Sequence, residues 1–380
     1  RDQGDGLVGS EMCIRDSIGP APMGGMVLAD MGAEVIRIDR AGNAPGLHMK
    51  DVSTRGKKSV ALNLKDPAGI ETLLRMVENA DVIIDPFRPG VCEKLGIGPD
   101  VCLQRNPRIV FARMTGWGQE GPLAHAAGHD INYISITGAL YAIGHKDEKP
   151  VAPLNLVGDM GGGGMLLVNG ILAALLETAN SGKGQVIDAA MVDGAAQLMW
   201  MFHGFQSMGM WDETQRGSNM LDGGSHFYDT YECADGEYIS IGSIEPQFYA
   251  LLKEKANLSE DDFGDQNNAA KWPEMKAKIT EVFKQKTQSQ WCEIMEGTDV
   301  CFAPVLNFMD APKHPANVAR QTYIEVDGLT QPAPAPRFSR TPSEVRNSGS
   351  DAGADTRSVL SAMGFAESEL EDLKNTGAIS

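Results

Sequence analysis

Strands alternate with helices along much of this chain, and this alternation restricts the fold more than any other feature. Strand patterns at residues 34–39, 81–85, 108–113 and 184–188 are separated by segments with helical periodicity. The helix predicted for residues 66–79 opens with Asp-Pro, which suits a first turn that does not need the proline N–H. Such alternation is typical of a parallel sheet with helices on its faces. We therefore predict an α/β fold with a large doubly wound, Rossmann-like domain.

Residues 1–16 do not follow this pattern. A doubly wound domain opens with a buried strand that feeds a Gly-rich turn, and such a turn is present at residues 18–22. The residues before it show neither alternation nor an apolar run, so the expected first strand is missing. We interpret residues 1–16 as a non-native or artefactual N-terminus. A divergent natural N-terminus is the alternative.

The pattern changes after residue 210. Residues 226–241 predict a β-hairpin around an Asp235-Gly236 turn, and helical segments follow it. The predicted organisation is a large domain at 17–210, a linker at 211–225, a smaller α+β domain at 226–315, and a connector with a C-terminal segment at 316–380.

Composition restricts the classes of function. The net charge of -18 makes a nucleic-acid surface improbable. Neither a signal peptide nor an apolar run of roughly 18 residues is found, so we expect a cytoplasmic protein that does not bind membranes. The six cysteines lack Cys-x-x-Cys spacing, so we expect no metal site.

His129 is a candidate general base. Gly128 precedes it, Asp130 and Asn132 are its polar neighbours, and apolar residues at helical spacing follow. This places His129 near a helix N-terminus, where the helix dipole disfavours a charged imidazole, and a neutral imidazole is what a general base requires. An ordinary surface or core histidine is the alternative.

Asp159 is a candidate acid within residues 153–164, a segment that ends in four glycines. It could instead be a helix N-cap. The glycines allow close helix packing, or they bring backbone N–H groups toward a ligand oxygen. Asn155 is near enough for a local hydrogen bond, and Glu245 stands at a loop-to-helix junction, where it could be a simple helix-terminal carboxylate.

Basic residues cluster between Arg37 and Lys65, just before the helix predicted at residues 66–79. In an acidic chain such a local excess favours a polyphosphate ligand, although a solvated surface stripe is the alternative. Arg88 follows a strand end, where α/β folds bind ligands. The cluster contains seven basic and two acidic residues: Arg37, Arg40, Lys50, Arg55, Lys57, Lys58 and Lys65 against Asp39 and Asp51.

Several longer motifs follow one another in order between about Ser17 and Thr341. They are residues 26–30 (MVLAD), 35–40 (VIRIDR), 86–91 (PFRPGV), 128–133 (GHDINY), 152–156 (APLNL), 182–188 (GKGQVID), 219–224 (NMLDGG), 244–249 (IEPQFY) and 335–339 (APRFS). By these motifs the chain resembles the alpha-methylacyl-CoA racemases, of the family III CoA-transferase superfamily (CaiB/BaiF type).

The resemblance implies a role for each site residue. His129 and Asp159 would be the two acid/base groups, with Glu245 orienting the histidine and Asn155 the aspartate. The implied contacts to the CoA part of the substrate are Arg40, Leu62, Asn63, Leu64, Lys65, Arg88, Gly128, Asp130, Ile131, Asn132 and Tyr133.

The resemblance also implies an interlocked homodimer. The C-terminal segment would complete each large CoA-binding domain, and the small domain would reach across the dimer, so that Glu245 comes from the partner chain. The implied activity is racemisation of 2-methylacyl-CoA thioesters in lipid and fatty-acid metabolism, with neither a cofactor nor a metal.

In the implied reaction, an enolate forms and negative charge develops on the thioester oxygen. We expect backbone N–H groups near Asp159 and Met160 to stabilise this charge. Two alternatives remain. One is a CoA transferase of the same superfamily, in which Asp159 attacks the thioester as a nucleophile. The other is a non-catalytic acyl-CoA binding protein.

Overall fold

The computed structural model describes residues 11–15, 19–42 and 51–380, and for residues 11–15 it describes the backbone alone. Within this part, the strands are β1 (Glu11–Arg15), β2 (Glu34–Arg40), β3 (Lys57–Leu62), β4 (Val82–Asp85), β5 (Val110–Thr115), β6 (Gln185–Ala190), β7 (Tyr228–Glu232), β8 (Tyr238–Gly242), β9 (Phe302–Pro304), β10 (Tyr323–Val326) and β11 (Leu329–Pro332).

The helices of the same part are α1 (Pro20–Asp30), α2 (Pro67–Asn79), α3 (Val91–Lys94), α4 (Pro99–Arg105), α5 (Asp130–Ile136), α6 (Ala139–Ala142), α7 (Leu166–Ser181), α8 (Met191–Leu198), α9 (Trp200–Ser207), α10 (Pro246–Ala256), α11 (Glu260–Phe263), α12 (Trp272–Phe283), α13 (Gln288–Met295), α14 (Pro315–Arg320), α15 (Thr356–Ala362) and α16 (Glu367–Asn375). A π-helix, Leu156–Met165, leads directly into α7.

The chain forms two compact units. The first contains the described residues up to Thr137, together with Leu154–Leu198 and Gln321–Ser380. The second contains Gly138–Pro153 and Met199–Arg320. Residues 138–153 and 199–210, which the sequence pattern places in the large domain, therefore belong to the second unit. Contacts between distant residues unite this unit, such as the bond from Arg216 Nε to the Tyr141 carbonyl (2.8 Å), and composition does not reveal them.

A parallel sheet is the centre of the first unit. Its strand order is β3-β2-β1-β4-β5-β6, and every neighbouring pair is parallel. The order reverses direction between β1 and β4, and in open α/β sheets ligands bind outside the carboxyl ends of the strands at such a point. The predicted doubly wound arrangement is present.

The described backbone corrects one prediction about the N-terminus. Glu11–Arg15 forms β1, which pairs with β2 on one side and β4 on the other. The prediction that residues 1–16 contain no strand is therefore wrong. A central strand is hydrogen-bonded to a neighbour on each side. Three apolar residues at positions 12–14 are therefore enough to form this strand, and a longer apolar run is not needed. Residues 1–10 and 16–18 lie outside the described residues.

Successive residues of the strands point to opposite faces, and each face has its own core. One cluster combines Ile36, Ile83 and Phe111 with side chains of α2, α4, α15 and α16. The other combines Val35 and Val110 with residues of α1 and α7. Helices thus cover both faces of the sheet, as a parallel sheet requires.

The C-terminal segment packs onto the first unit. Arg55, in the turn before β3, forms an ion pair with Asp30 at 2.6 Å, and both side chains are 3% exposed. The same guanidinium donates to Gln331 Oε1 (2.8 Å) and to the Pro332 carbonyl (2.8 Å) in β11. The end of the chain lies beside β3, through a bridge between Leu62 and Ile379.

The second unit contains an antiparallel sheet of β7, β8 and β9, in that order. The predicted hairpin joins β7 to β8 through Asp235 and Gly236, and Gly236 has a φ of 82°. Helices α10, α12 and α13 cover one face of the sheet, around buried Phe227, Phe283 and Trp291.

One continuous helix of the described chain, Leu156–Ser181, is long and apolar enough to cross a membrane by length and composition alone, with a mean hydropathy of 1.4. No uninterrupted apolar run of this length marks this helix in the sequence. A helix in the core of a protein passes the same test, and Leu167, Val168 and Ile171 are buried against the sheet.

We predict that Arg55→Ala lowers the free energy of unfolding by about 3–5 kcal/mol, because it leaves the buried Asp30 carboxylate without its partner. Lys58→Ala is the matched control. Lys58 pairs with Glu34 at 2.5 Å while both side chains are more than 40% exposed, so its loss costs at most about 1 kcal/mol. Urea unfolding of both variants measures the difference, and equal losses would contradict the prediction.

Candidate active site

The candidate residues of the first unit lie where the parallel strands end. Arg40 is the last residue of β2, Asn63 follows β3, and Arg88 follows β4. The segment that carries His129 lies between β5 and α5, and Gly19 is the N-cap residue of α1. The carboxyl edge of the sheet therefore gathers residues that are far apart in the sequence.

Two glycines and two aromatic rings hold the segment before His129. The Tyr133 hydroxyl donates to the Gly128 carbonyl, and the Tyr133 ring packs edge-on against Trp117 at 4.8 Å. A Cβ atom on Gly116 would lie 2.2 Å from the Tyr133 ring, and one on Gly128 would lie 2.7 Å from it. Only glycine fits at these positions, since such distances are well inside van der Waals contact.

His129 immediately precedes α5, as predicted. Its backbone N–H donates to Asn132 Oδ1 at 3.1 Å, and the Asn132 N–H donates to the His129 carbonyl at 2.8 Å. The helix entrance is thus held by backbone and asparagine groups. The His129 side chain is exposed.

Asp159 lies in the first turn of the π-helix, four residues after Asn155, which occupies the N-cap position. The N-cap alternative for Asp159 is therefore wrong. Asn155 Nδ2 donates to Asp159 Oδ2 at 3.2 Å, which is the local bond that the spacing allowed. A Cβ on Gly19 would lie 3.8 Å from the same oxygen.

Burial raises the pKa of the half-buried Asp159 carboxyl above its ordinary value. The hydrogen bond from Asn155 acts in the opposite direction, the charge of Asp130 raises the pKa further, and nearby His129 lowers it. The imidazole and the carboxyl group are thus close enough to influence each other. A carboxyl group with a raised pKa keeps its proton to higher pH and is better suited to act as an acid.

Close packing explains the glycines that follow Asp159. A Cβ on Gly194 of α8 would lie 1.9 Å from the Gly162 carbonyl oxygen, and one on Gly164 would lie 3.0 Å from the Pro20 carbonyl oxygen in α1. The π-helix therefore approaches α1 and α8 backbone to backbone. Of the two interpretations of these glycines, the contacts favour packing.

The predicted backbone donors at Asp159 and Met160 are already engaged. The Asp159 N–H donates to Asp130 Oδ2 at 2.7 Å, and the Gly158 N–H donates to the same oxygen at 2.6 Å. The Met160 N–H donates to the Asn155 carbonyl at 3.3 Å. The prediction that these two groups face the thioester oxygen is wrong, because the start of a helix leaves N–H groups that need acceptors.

Four of the six described members of the basic cluster have partners within the protein. Arg37 pairs with Asp39 at 2.8 Å, and the buried Lys57 Nζ donates to the Pro22 carbonyl at 2.8 Å. Arg55 and Lys58 form the ion pairs described above, and Lys50 lies outside the described residues. The predicted excess of positive charge is therefore much smaller than the sequence suggests. Arg40 and Lys65 are exposed at the sheet edge.

The other predicted CoA contacts differ in accessibility. Leu62 and Leu64 are 1% and 8% exposed and belong to the core, so their side chains do not reach a ligand. Buried Asp130 uses one carboxylate oxygen to cap the π-helix. The exposed members of the set are Arg40, Lys65, Arg88, Ile131 and Asn132.

Arg88 lies near the His129 segment. Burial raises the pKa of the Tyr133 phenol, and Arg88 opposes this shift. Gly116 and Trp117, which support this segment, were not among the predicted site residues. Their only signal is a glycine immediately after a strand end.

Glu245 occupies the N-cap position of α10 in the second unit, and its side chain is exposed. Its carbonyl accepts the Phe248 and Tyr249 N–H groups, each at 3.0 Å. Burial raises the pKa of the Cys301 thiol, and the charge of Glu245 adds to this shift. Glu245 is thus an accessible carboxylate at a helix start.

Comparison with known proteins identifies the family. The model of CoA-transferase family III matches residues 13–356, and the chain belongs to this family. It is 47% identical over 360 residues to the alpha-methylacyl-CoA racemase of Mus musculus, covering 94% of this chain and 93% of that protein. It is 43% identical over 374 residues to the alpha-methylacyl-CoA racemase of Homo sapiens, covering 97% and 96%. The resemblance inferred from the motifs is confirmed.

Solved structures support the fold. The hypothetical protein Rv3272 from Mycobacterium tuberculosis superposes with a TM-score of 0.78 at 26% identity, covering 94% of this chain and 99% of that one. A CAIB/BAIF family protein from Brucella suis gives a TM-score of 0.79 at 23% identity, covering 95% and 100%. The predicted α/β fold with a parallel sheet is confirmed.

We predict that Gly194→Ala destabilises the first unit by about 1–3 kcal/mol, because the added methyl group overlaps the Gly162 carbonyl. Gly204→Ala is the matched control, since Gly204 is also helical and has open space around its Cα. Removing a flexible glycine there stabilises by about 0.5–1 kcal/mol. Denaturant unfolding gives both values, and a stabilised Gly194→Ala variant would contradict the packing described.

Proposed function

We propose that this chain interconverts the two enantiomers of 2-methylacyl-CoA thioesters, and is therefore an isomerase. The proposal rests on one observation: two proteins named alpha-methylacyl-CoA racemase are 47% and 43% identical to this chain over nearly its full length. The placement of His129 and Asp159 at one sheet edge, near enough to influence each other, supports it. Proton transfer alone changes the configuration, so the reaction needs neither a cofactor nor a metal.

In the proposed reaction, His129 removes the α-proton from one face of the substrate. The electron pair of the C–H bond forms a C=C bond, and negative charge moves to the thioester oxygen. Asp159 then donates a proton to the opposite face, and the roles reverse for the other enantiomer. The raised pKa of Asp159 favours the protonated form needed for donation. Asn155 orients the carboxyl group through its hydrogen bond.

The enolate needs a positive potential at its oxygen. Asp159 and Met160 donate their N–H groups to acceptors inside the protein. The positive end of the helix dipole would therefore stabilise the enolate oxygen. The N-terminus of the π-helix, continued by α7, carries the positive end of a dipole that extends over 26 residues. Asp159 lies in its first turn, which brings the reacting carbon to the same end.

We predict that His129→Ala lowers kcat by about 10²–10⁴-fold while CoA affinity stays near that of the parent, because the general base is lost and the CoA contacts remain. His125→Ala is the matched control, an exposed histidine four residues earlier that should leave kcat unchanged. A chiral assay and calorimetric titration with CoA measure the two quantities.

Two outcomes would favour the other functions. Transfer of CoA to free carboxylate acceptors would indicate a transferase in which Asp159 is the nucleophile. Tight acyl-CoA binding by a parent protein without turnover would indicate a binding protein.

We further propose that the protein is an interlocked homodimer in which Glu245 of one chain orients His129 of the other. Large exposed apolar side chains of the second unit support a protein interface, since monomers rarely expose so many. Trp200, Phe308 and Met309 are 73%, 90% and 73% exposed. Glu245 is exposed in the same unit and is free to meet a partner.

A complementation experiment tests the shared site. His129→Ala and Glu245→Ala are each expected to be impaired alone. Co-expression gives mixed dimers as about half of the population, and one of the two sites in each receives both intact residues, so about a quarter of parental activity returns. If Glu245 acted within its own chain, every site would remain defective. Mixed dimers without recovered activity would contradict the proposal.

A further inference from the structure

Asp130 connects the starts of the two helices that carry the acid/base residues. It is the first residue of α5 and directly follows His129, and it is only 4% exposed. Its Oδ2 atom accepts the N–H groups of Gly158 at 2.6 Å and of Asp159 at 2.7 Å. Through this one oxygen atom, the residue next to His129 is hydrogen-bonded to the main chain of Gly158 and Asp159.

We propose that Asp130 is a positioning residue, which fixes the separation and orientation of His129 and Asp159. The proposal rests on the proposed function, since it assigns Asp130 a role in the same reaction. It also differs from a role in CoA binding, which the family resemblance implied for this residue. The Oδ2 atom, which accepts two backbone N–H groups, is committed to the protein, while Oδ1 is buried and has no hydrogen-bond partner within the part of the chain that the structure describes.

The path of the chain shows why such a connection is needed. Residues 138–153, between α5 and the π-helix, belong to the second unit. No short loop therefore joins α5 to the π-helix and fixes the distance between their ends. Hydrogen bonds to a charged acceptor are about twice as strong as neutral ones and suit this task.

The local sequence is adapted to the contact. A Cβ on Gly158 would lie 2.7 Å from Asp130 Oδ2 and 3.2 Å from the Asp130 carbonyl oxygen. Any larger residue at position 158 would push the carboxylate away from the helix start. On the other side, Asn132 and Tyr133 hold α5 and the segment before His129, so that Asp130 acts between two supported elements.

Asp130 has a second effect on Asp159 through its charge. The groups that face Asp159 are His129, Asp130 and Tyr133 from the α5 region and Asn155 from the preceding turn. Helix α8, which also packs on the π-helix, carries Asp193, which is exposed. Asp130 is the carboxylate among these that raises the pKa of Asp159, so its charge helps Asp159 keep a proton.

Two substitutions separate position from charge. Asp130→Glu keeps the charge but displaces the carboxylate by one methylene group. A displacement of about 1 Å lowers rates by about 10²-fold, so kcat should fall by this order while KM stays near the parental value. Asp130→Asn keeps a carbonyl oxygen in place but removes the charge.

In Asp130→Asn, the pKa of Asp159 should fall, because a nearby negative charge no longer opposes its ionisation. The pH–rate limb that reports Asp159 should therefore move to lower pH for both enantiomers. A residue with only a structural role would not move this limb.

The experiment uses the full-length chain and one 2-methylacyl-CoA, with racemisation, thermal unfolding and pH profiles measured for each variant. Asp355→Asn is the matched control: Asp355 also accepts a backbone N–H, that of Ser59 at 2.8 Å, but lies at α15. It should lower thermal stability and leave kcat and the pH profile unchanged.

Supporting results are a lowered kcat for Asp130→Glu and a shifted limb for Asp130→Asn. Parental kcat and pH profiles in both variants, or a raised KM with unchanged kcat, would overturn the positioning role while racemisation by the parent upholds the proposed function. A parent that does not racemise would overturn both.

Discussion

Backbone N–H groups at the start of the π-helix must find acceptors once this helix is packed between α1, α5 and α8. The Asp130 carboxylate supplies an acceptor for two of them, at 2.6 and 2.7 Å. Without it, buried donors would be left unpaired, at a cost of about 1–3 kcal/mol each. The same two bonds bring the Asp159 turn to the His129 turn, so one structural requirement also determines the geometry of the site.

The parallel sheet provides the frame for this arrangement. Its strands end at one edge, the strand order reverses between β1 and β4, and Gly19 at the start of α1 lies beside Asp159. Arg40, Lys65 and Arg88 are exposed along this edge, whereas other cations of the basic cluster are neutralised inside. These three residues are accessible cations in a chain whose net charge is -18.

Local patterns in the sequence predicted much of the fold. The Asp-Pro start of α2, the hairpin at Asp235-Gly236 and the helix start at His129 each follow from short-range chemistry. The strand predicted at residues 108–113 is observed as Val110–Thr115, which is the ordinary uncertainty of element ends.

Contacts between distant residues were not predictable in this way. The bond from Asp159 to Asp130 spans 29 residues, and the pairing of Arg55 with Gln331 spans 276. Strand β1 can be recognised as a strand only from its pairing with β2 and β4, and the local sequence does not show this pairing. The basic cluster was misjudged for the same reason, since its acidic partners include Asp30 and Glu34 from outside the counted segment.

In a two-base site, two different groups exchange the proton on the two faces of one carbon, and single-base variants in heavy water test this most directly. Each enantiomer would be incubated with His129→Ala or Asp159→Asn, and deuterium at the α-carbon and the configuration would be followed. Each variant should exchange the α-hydrogen of one enantiomer with retention and without inversion, and the preferred enantiomer should be opposite in the two variants. Inversion by either variant as fast as its exchange, or the same preferred enantiomer in both, would contradict a two-base site.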